Sequence, residues 1–507
     1  MDVLRPDLQF MAASDGDEAQ RRRWSRLAPA PVPRLRAWSL TRMRKCLGLA
    51  RTFGPFALRS GLEWRRGELA EPAAQATRAA ELRRLLEAAG PTFIKLGQAL
   101  ASRPDLLPAP ALRELLQLCD QCPAFDWELA RAVLAEGLRA EPGQVFGGVG
   151  GAPRPVSAAS LGQVYRWEYG GRDVAVKVQR PDLRHAVSLD LYLIRGLAVA
   201  LRAVVRRLTR QRTDHVMLVD VWAAGTWSEL DYLAEGGSQE QFKEALEALM
   251  PGRLYIPEVV WEVTSSKVLV TEWVEGPKLA ACSPEVVQKL VPVGIECFCL
   301  QLLELGIFHS DPHPGNILVR DGQLVLIDFG LVARIDRPDM NRLTFMTVHL
   351  ISGDYVRLFD DLVALGFLPS DADRESIVAV LSKVLDLTVQ AGSDMRARAK
   401  NFKTVSDDLN QIFFELPFEL ALLLGAALAC GRPGAPPLLT RAILTLEGIA
   451  MAGDESFDIF QAAYPFALRQ ARGLLLRGDA AASAGLVAGA LALASATGAE
   501  AAAAAAP

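Results

Sequence analysis

The 507-residue chain has little of what marks several protein classes. Its seven cysteines, Cys46, Cys119, Cys122, Cys282, Cys297, Cys299 and Cys430, are too few and too unevenly spaced for a disulfide framework, which fits a reducing compartment. Cys119 and Cys122 form one C-x-x-C with no second pair and no neighbouring histidine, so ordinary thiols are expected rather than a zinc or redox centre. The same holds for Cys297 and Cys299. Lys+Arg 55 against Asp+Glu 59 gives a net charge of -4, without the basic excess of a dedicated nucleic-acid binder. No run of about 20 apolar residues is unbroken. Residues 289–308 contain Glu296 and Glu304, residues 410–430 contain Glu415 and Glu419, and 485–499 is short and rich in Ala and Gly. No spanning helix is expected, and MDVLRPDLQF lacks the apolar core of a secretory signal. Solenoid-type repeats are absent from the sequence.

What remains is the balance of a globular protein, 50% hydrophobic and 22% charged, long enough for about two to four domains or one bilobal unit. Residues 21–66 carry thirteen Lys or Arg against a single acid, Glu63, interleaved with Trp24, Trp38, Phe53, Phe56 and Trp64. Such a segment can lie on an anionic membrane surface or be a solvated helix face behind a flexible Pro-rich leader. We divide the chain into a basic, partly flexible segment 1–71, a helical extension 72–150, a strand-bearing lobe with a helical insert 151–277, a second lobe 278–400, C-terminal helices 401–480 and an Ala-rich tail 481–507. Helical spacing runs through RAAELRRLLEAAG and ALRELLQL. Alternation in VSAASLGQVYRWEYGGRDVAVKV predicts a hairpin turning at Gly170-Gly171, and 255–275 reads as a second strand-rich stretch.

The chemistry concentrates in FHSDPHPGNILVRDGQLVLIDFG, residues 308–330. Asp311 and Asn316 lie five positions apart across a Pro- and Gly-containing loop. Two short apolar strands around an Asp-Gly turn then lead to Asp328-Phe329-Gly330. Phosphoryl transfer asks little covalent help of a protein; it needs a carboxylate near the acceptor oxygen and cations on the phosphates. Asp311 would orient or deprotonate the acceptor. Asn316 and Asp328 offer the oxygen ligands that Mg²⁺ prefers. Upstream, Lys177 ends Val-Ala-Val-Lys on the second hairpin strand, where alternation can turn it inward toward phosphates. ELDYLAE (229–235) offers Glu235 as its partner, and backbone groups from Glu272 to Val274, after VLVTEW, could bond an adenine edge.

The ordered set KLGQ (95–98), SAASLGQVY (157–165), VAVK, ELDYLAE, HSDPHPGN and IDFG resembles the UbiB/AarF/ADCK atypical kinase family over roughly residues 85–335. The resemblance implies an α+β, protein-kinase-like two-lobed fold with an N-terminal helical extension and a helix-rich C-terminal lobe. It implies ATP and Mg²⁺ as cofactors and a loop at Ala158, Ala159 and Ser160 over the nucleotide. It also implies that a K-x-G-Q helix bearing Lys95 and Gln98 lies over the active site, that Glu229 and Asp231 face that helix, and that Glu235 pairs with Lys177. Prenyl-lipid or quinone-pathway partners, peripheral membrane contact, and a bacterial cytosol-facing membrane or plastid setting follow from the same likeness.

Departures from ordinary protein kinases narrow the activity. The nucleotide loop keeps only Gly162 of the usual three glycines, and added Cβ atoms stiffen it. Ser157 replaces the first alanine usual in the family. His313 stands where protein kinases commonly carry lysine, and no Ala-Pro-Glu follows Asp328. An atypical kinase or ATPase is therefore expected ahead of a conventional Ser/Thr protein kinase or a catalytically silent nucleotide- or lipid-binding scaffold.

Overall fold

The computed structural model describes residues 40–382, except 102–106, 121, 123, 150–152, 209–214, 310–313, 352, 366–367, 369–371 and 380, together with residues 466, 469 and 470. The expected Ala-rich tail, nearly all of 401–480 and two of the three apolar stretches lie outside the described residues. The chain divides into two compact units. One comprises 1–204, 214–237 and 258–273; the other comprises 205–213, 238–257 and 274–507.

The first unit opens with helices α1 (Leu40–Arg65), α2 (Pro72–Ala89), α3 (Pro91–Ala101), α4 (Ala109–Asp120), α5 (Trp127–Leu138) and the short α6 (Pro142–Val145). Proline at the first position of α2, α3 and α6 fits because its missing N–H has no intrahelical partner there. Asp126 caps α5 by accepting from Glu128 N–H at 2.8 Å. Phe93, Ile94, Leu86, Leu115 and Leu118 form a core shared by α2, α3 and α4. Gly97 leaves room there for the side chains of Leu118 and Leu86, which a Cβ would have to displace.

A four-stranded antiparallel sheet follows, ordered β1 (Ser157–Ala158), β2 (Gly162–Tyr169), β3 (Arg172–Gln179) and β5 (Val268–Glu272). Gly170 and Gly171 both take positive φ, 59° and 76°, as a two-residue hairpin turn of matching twist demands. Val174, Val176 and Val178 bury one face against Ala130, Val133 and Leu134 of α5. Lys177, out of phase with them, emerges on the opposite face. Between β3 and β5 run α7 (Leu183–Leu208), α8 (His215–Ser228) and the start of α9 (Tyr232–Leu249).

The second unit takes the rest of α9, β4 (Leu254–Tyr255), α10 (Pro284–Leu300), β6 (Ile307–His309), β7 (Ile317–Arg320), β8 (Gln323–Leu326), β9 (Val332–Arg334), α11 (Arg337–Ile351) and α12 (Tyr355–Ala364). α10 continues through a π-helical turn, Gln301–Leu305, ended by Gly306 at φ 67°. The segment Pro284–Leu305 is long and apolar enough to cross a membrane. Val287, Leu290, Ile295, Phe298 and Leu302 are buried within the unit, which gives this apolar length a role as a core helix. The stretch 255–275 is less strand-rich than its composition suggests. Only Val268–Glu272 and the last residue of β4 are strand, and Trp261–Val263 is a 3₁₀ turn. Its β-branched residues pack singly against the sheet: Val260 bonds back to Val270 at 2.8 Å.

Candidate functional site

In the first unit, Lys177 Nζ lies 2.6 Å from Glu235 Oε1. The Glu235 side chain is 2% exposed and that of Lys177 23%. The ammonium also sits 5.2 Å from the centroid of the Tyr232 ring, one turn earlier on α9. Strand alternation presents the lysine, and α9 presents the acid within its first turn, where the helix dipole favours a carboxylate. Lys95 of α3 bonds Glu229. Asp231 does different work from Glu229: its Oδ1 accepts from Leu233 N–H at 3.1 Å and caps α9. Gln98, one turn beyond Lys95, donates to the Leu118 carbonyl of α4 at 2.8 Å, so the two motif side chains serve separate partners.

The loop 158–161 is a tight turn in which Ala159 N–H donates to the Gly162 carbonyl at 2.8 Å. Arg180, at the end of β3, donates to the carbonyls of Ser160 at 3.0 Å and Ala159 at 3.3 Å. Glu272 closes β5, its N–H held by the Glu258 carbonyl at 2.9 Å, and Trp273 N–H donates to Asp173. Val274, buried, follows the end of that ladder.

In the second unit, β7 and β8 form a ribbon around Asp321-Gly322, both at positive φ. Ile327 N–H donates to the Asn316 carbonyl at 3.0 Å, so pairing sets Asn316 beside the residue preceding Asp328. Asp328 is exposed at φ 66°, its carbonyl 2.6 Å from His309 Nε2 and its Oδ1 accepting from Gly330 N–H at 3.3 Å. Phe329 is buried against Phe242 and His309, with ring centroids at 5.2 and 5.5 Å. Asp311, with Ser310, Pro312 and His313, lies outside the described residues. No group of three or more His, Cys, Asp or Glu suited to a metal occurs among the described residues. Mg²⁺ commonly takes one or two carboxylates plus substrate phosphates, and the oxygen donors of Asn316 and Asp328 fit that set.

Residues 117–362 match the ABC1 atypical kinase-like domain. A chloroplastic "Activity of bc1 complex kinase 3" protein of Arabidopsis thaliana is 37% identical over 434 residues, 84% of this chain and 57% of the relative. An uncharacterized Synechocystis protein is 37% identical over 405 residues, covering 78% of this chain and 67% of the relative. An Arabidopsis chloroplastic aarF domain-containing protein kinase is 36% identical over 401 residues. The chain belongs to the ABC1/AarF atypical kinase-like family. It spans a little over half the length of most of the curated relatives it matches, 57% of the Arabidopsis kinase 3 protein among them. Among solved structures, a complex of Rv3197 with erythromycin from Mycobacterium tuberculosis aligns at TM-score 0.45 and 22% identity, over 79% of this chain and 97% of that one.

Within this ABC1-type chain, three residues carry positions that sequence reasoning passed over. Arg180 ties the 158–161 turn through the Ser160 and Ala159 carbonyls; its signal was a lone arginine directly after β3. Gln301, 3% exposed on the π-helical turn, accepts from His309 N–H at 2.9 Å. It thereby fixes the histidine that holds Asp328. Asp190, 1% exposed, accepts from the Thr92 hydroxyl at 3.0 Å. Burial pushes the Cys297 and Cys299 thiols up to about 12, far from thiolate at neutral pH.

The single loop glycine is explained by packing. A Cβ at Gly162 would lie 2.6 Å from the Val178 carbonyl oxygen and 2.5 Å from the Tyr232 hydroxyl. Because backbone cannot step aside, Gly162→Ala should lower unfolding free energy by about 2 kcal/mol. Urea denaturation checks this, and an unchanged midpoint would show that the strand yields freely.

Proposed function

We propose that this protein binds Mg-ATP and hydrolyses or transfers its γ-phosphate. The observation that carries the reading is the Lys177–Glu235 pair. A cation on a strand, held by an acid at 2% side-chain exposure, suits the placing of positive charge against phosphate. Lys177 would bind phosphate oxygens, Glu235 would hold the ammonium in place, and Ala158, Ala159 and Ser160 would cover the nucleotide. Backbone groups from Glu272 to Val274 would meet the base. Asn316 and Asp328 would supply oxygens to Mg²⁺, which when bound neutralises phosphate charge. Asp311 would orient the acceptor hydroxyl or water and take its proton, while Lys95 and Gln98 would shape the site from α3.

We further propose work at a membrane surface, in support of isoprenoid-quinone or other prenyl-lipid metabolism, in a plastid or bacterial setting like that of the chloroplastic and Synechocystis relatives. Support comes from α1. Its exposed side carries Met43, Leu47, Leu58, Leu62 and Trp64 among Arg44, Arg51, Arg59 and Arg65. The helix's one acid, Glu63, is half-buried and bonded to Arg78 at 2.8 Å. Exposed apolar side chains interspersed with arginines, without exposed acid, suit an anionic interface.

The test is incubation of the full chain with Mg²⁺ and γ-labelled ATP, following free phosphate, protein label and lipid-extractable label separately. Vesicles with and without anionic lipid, and a prenylated phenol, are added in parallel. Phosphate release or lipid label that rises with vesicles is expected. Label on added protein substrates would instead favour a conventional protein kinase, and bound nucleotide without turnover a scaffold.

A further inference from the structure

Helix α7 is an insert between Lys177 and the ELDYLAE segment, and its first third holds a buried carboxylate that the proposed chemistry leaves unused. Asp190 is 1% exposed. Thr92 of α3 donates its hydroxyl to Asp190 Oδ2 at 3.0 Å, and Lys45 Nζ of α1 stands 2.9 Å from Oδ1. Three helices far apart in sequence thus meet on one side chain. Burial raises the Asp190 carboxyl above the usual range, opposed by Lys45 and Thr92. A buried carboxylate is costly, and apolar side chains would join three helices at less expense. What the carboxylate adds is direction: its oxygens accept only from donors correctly placed.

The direction has an object. Thr92 is fully buried and lies one turn before Lys95 on the same helix, at i and i+3, so fixing its hydroxyl fixes the rotation of α3. At eleven residues α3 draws its rigidity from what it packs against: the Phe93 and Ile94 core on one side and the Thr92–Asp190 bond on another. The other end of the Lys95 contact is tied to α7 as well. Arg184 donates to the Leu230 carbonyl at 3.3 Å, beside Glu229. Leu183, Val187 and Leu191 of α7 pack with Leu230 and with Leu161 of the nucleotide loop. One helix therefore holds α3 one turn before Lys95 and the chain directly after Glu229.

We infer that α7 is the jig of the K-x-G-Q helix, with Asp190 as a positioning residue that sets Lys95 through the Thr92 hydroxyl. The inference rests on the proposed function for its kinetic consequence but not for its structural one. The experiment compares full-length Thr92→Val, Thr92→Ser and Asp190→Asn with wild type by hydrogen exchange, thermal unfolding and Mg-ATP turnover. Thr92→Val, nearly isosteric, and Asp190→Asn should speed exchange of amides 92–101 about tenfold while 174–178 stay protected. They should lower kcat about tenfold with KM changed by less than about twofold. Thr92→Ser, which restores the hydroxyl, should match wild type in both. Unchanged exchange at 92–101 in Thr92→Val refutes the latch, as does a lowered melting temperature with unaltered kcat. If wild type releases no phosphate, the function proposed above fails, and the exchange comparison still decides whether Asp190 holds α3.

Discussion

Asp328→Asn should leave the fold intact and lower Mg-ATP turnover about a thousandfold, equivalent to about 4 kcal/mol of transition-state stabilisation. The residue's φ of 66° lies in the left-handed region, which asparagine tolerates better than most side chains. The carbonyl contact with His309 and the shape of the side chain both survive the change. Only the negative charge is lost. In the proposed reading that charge holds Mg²⁺ with Asn316, so the variant should also need much higher Mg²⁺ for what turnover remains. Phosphate release measured against Mg²⁺ concentration, with melting temperature as the control, decides the matter. Wild-type turnover at low millimolar Mg²⁺ would remove Asp328 from the metal site.

Lys177→Met should cost both activity and stability, for separable reasons. It removes the cation from a carboxylate whose side chain is 2% exposed, and breaking a buried pair from one side costs about 3 kcal/mol. Lys177 is itself partly open to water, so the value belongs at the low end of that range. Adding Glu235→Gln removes the stranded charge. The double variant should therefore regain most of the stability and none of the phosphate release. Urea unfolding of the single and double variants, with turnover alongside, forms the cycle. Recovery of turnover in the double variant would mean that the pair is an internal brace and that phosphate is met by other groups.

The elements legible in the sequence were those with local causes. Alternation in Val174, Val176 and Val178 together with Gly170-Gly171 announces the hairpin and the face on which Lys177 stands, because a strand's period and a turn's dihedral needs are both local. Gly90-Pro91 announces the start of α3, and Asp321-Gly322 the ribbon that carries Asn316 toward Asp328. Partnerships between distant segments were legible only through family likeness. Nothing in the spacing of Lys177 and Glu235, 58 residues apart, states that they meet. Asp190, Arg180 and Gln301 escaped because each looks like an ordinary polar residue in a helix or at a strand end. Their importance comes from burial and from which carbonyl, amide or hydroxyl stands opposite, which only the tertiary structure supplies. For Gln98, the K-x-G-Q motif names the residue, but only the tertiary structure gives its partner, the Leu118 carbonyl near the end of the neighbouring helix.

Arg180, by gripping the carbonyls of Ala159 and Ser160, orders the turn above the sheet before any ligand arrives. A glycine-rich flap surrenders conformational freedom at each closure, whereas this turn surrendered it once, as the chain folded. In the proposed reading, a nucleotide held against this turn would pay little entropic penalty from the turn itself, and its release would gain little. Residence time would then be governed by the contacts the nucleotide makes rather than by the breathing of a lid.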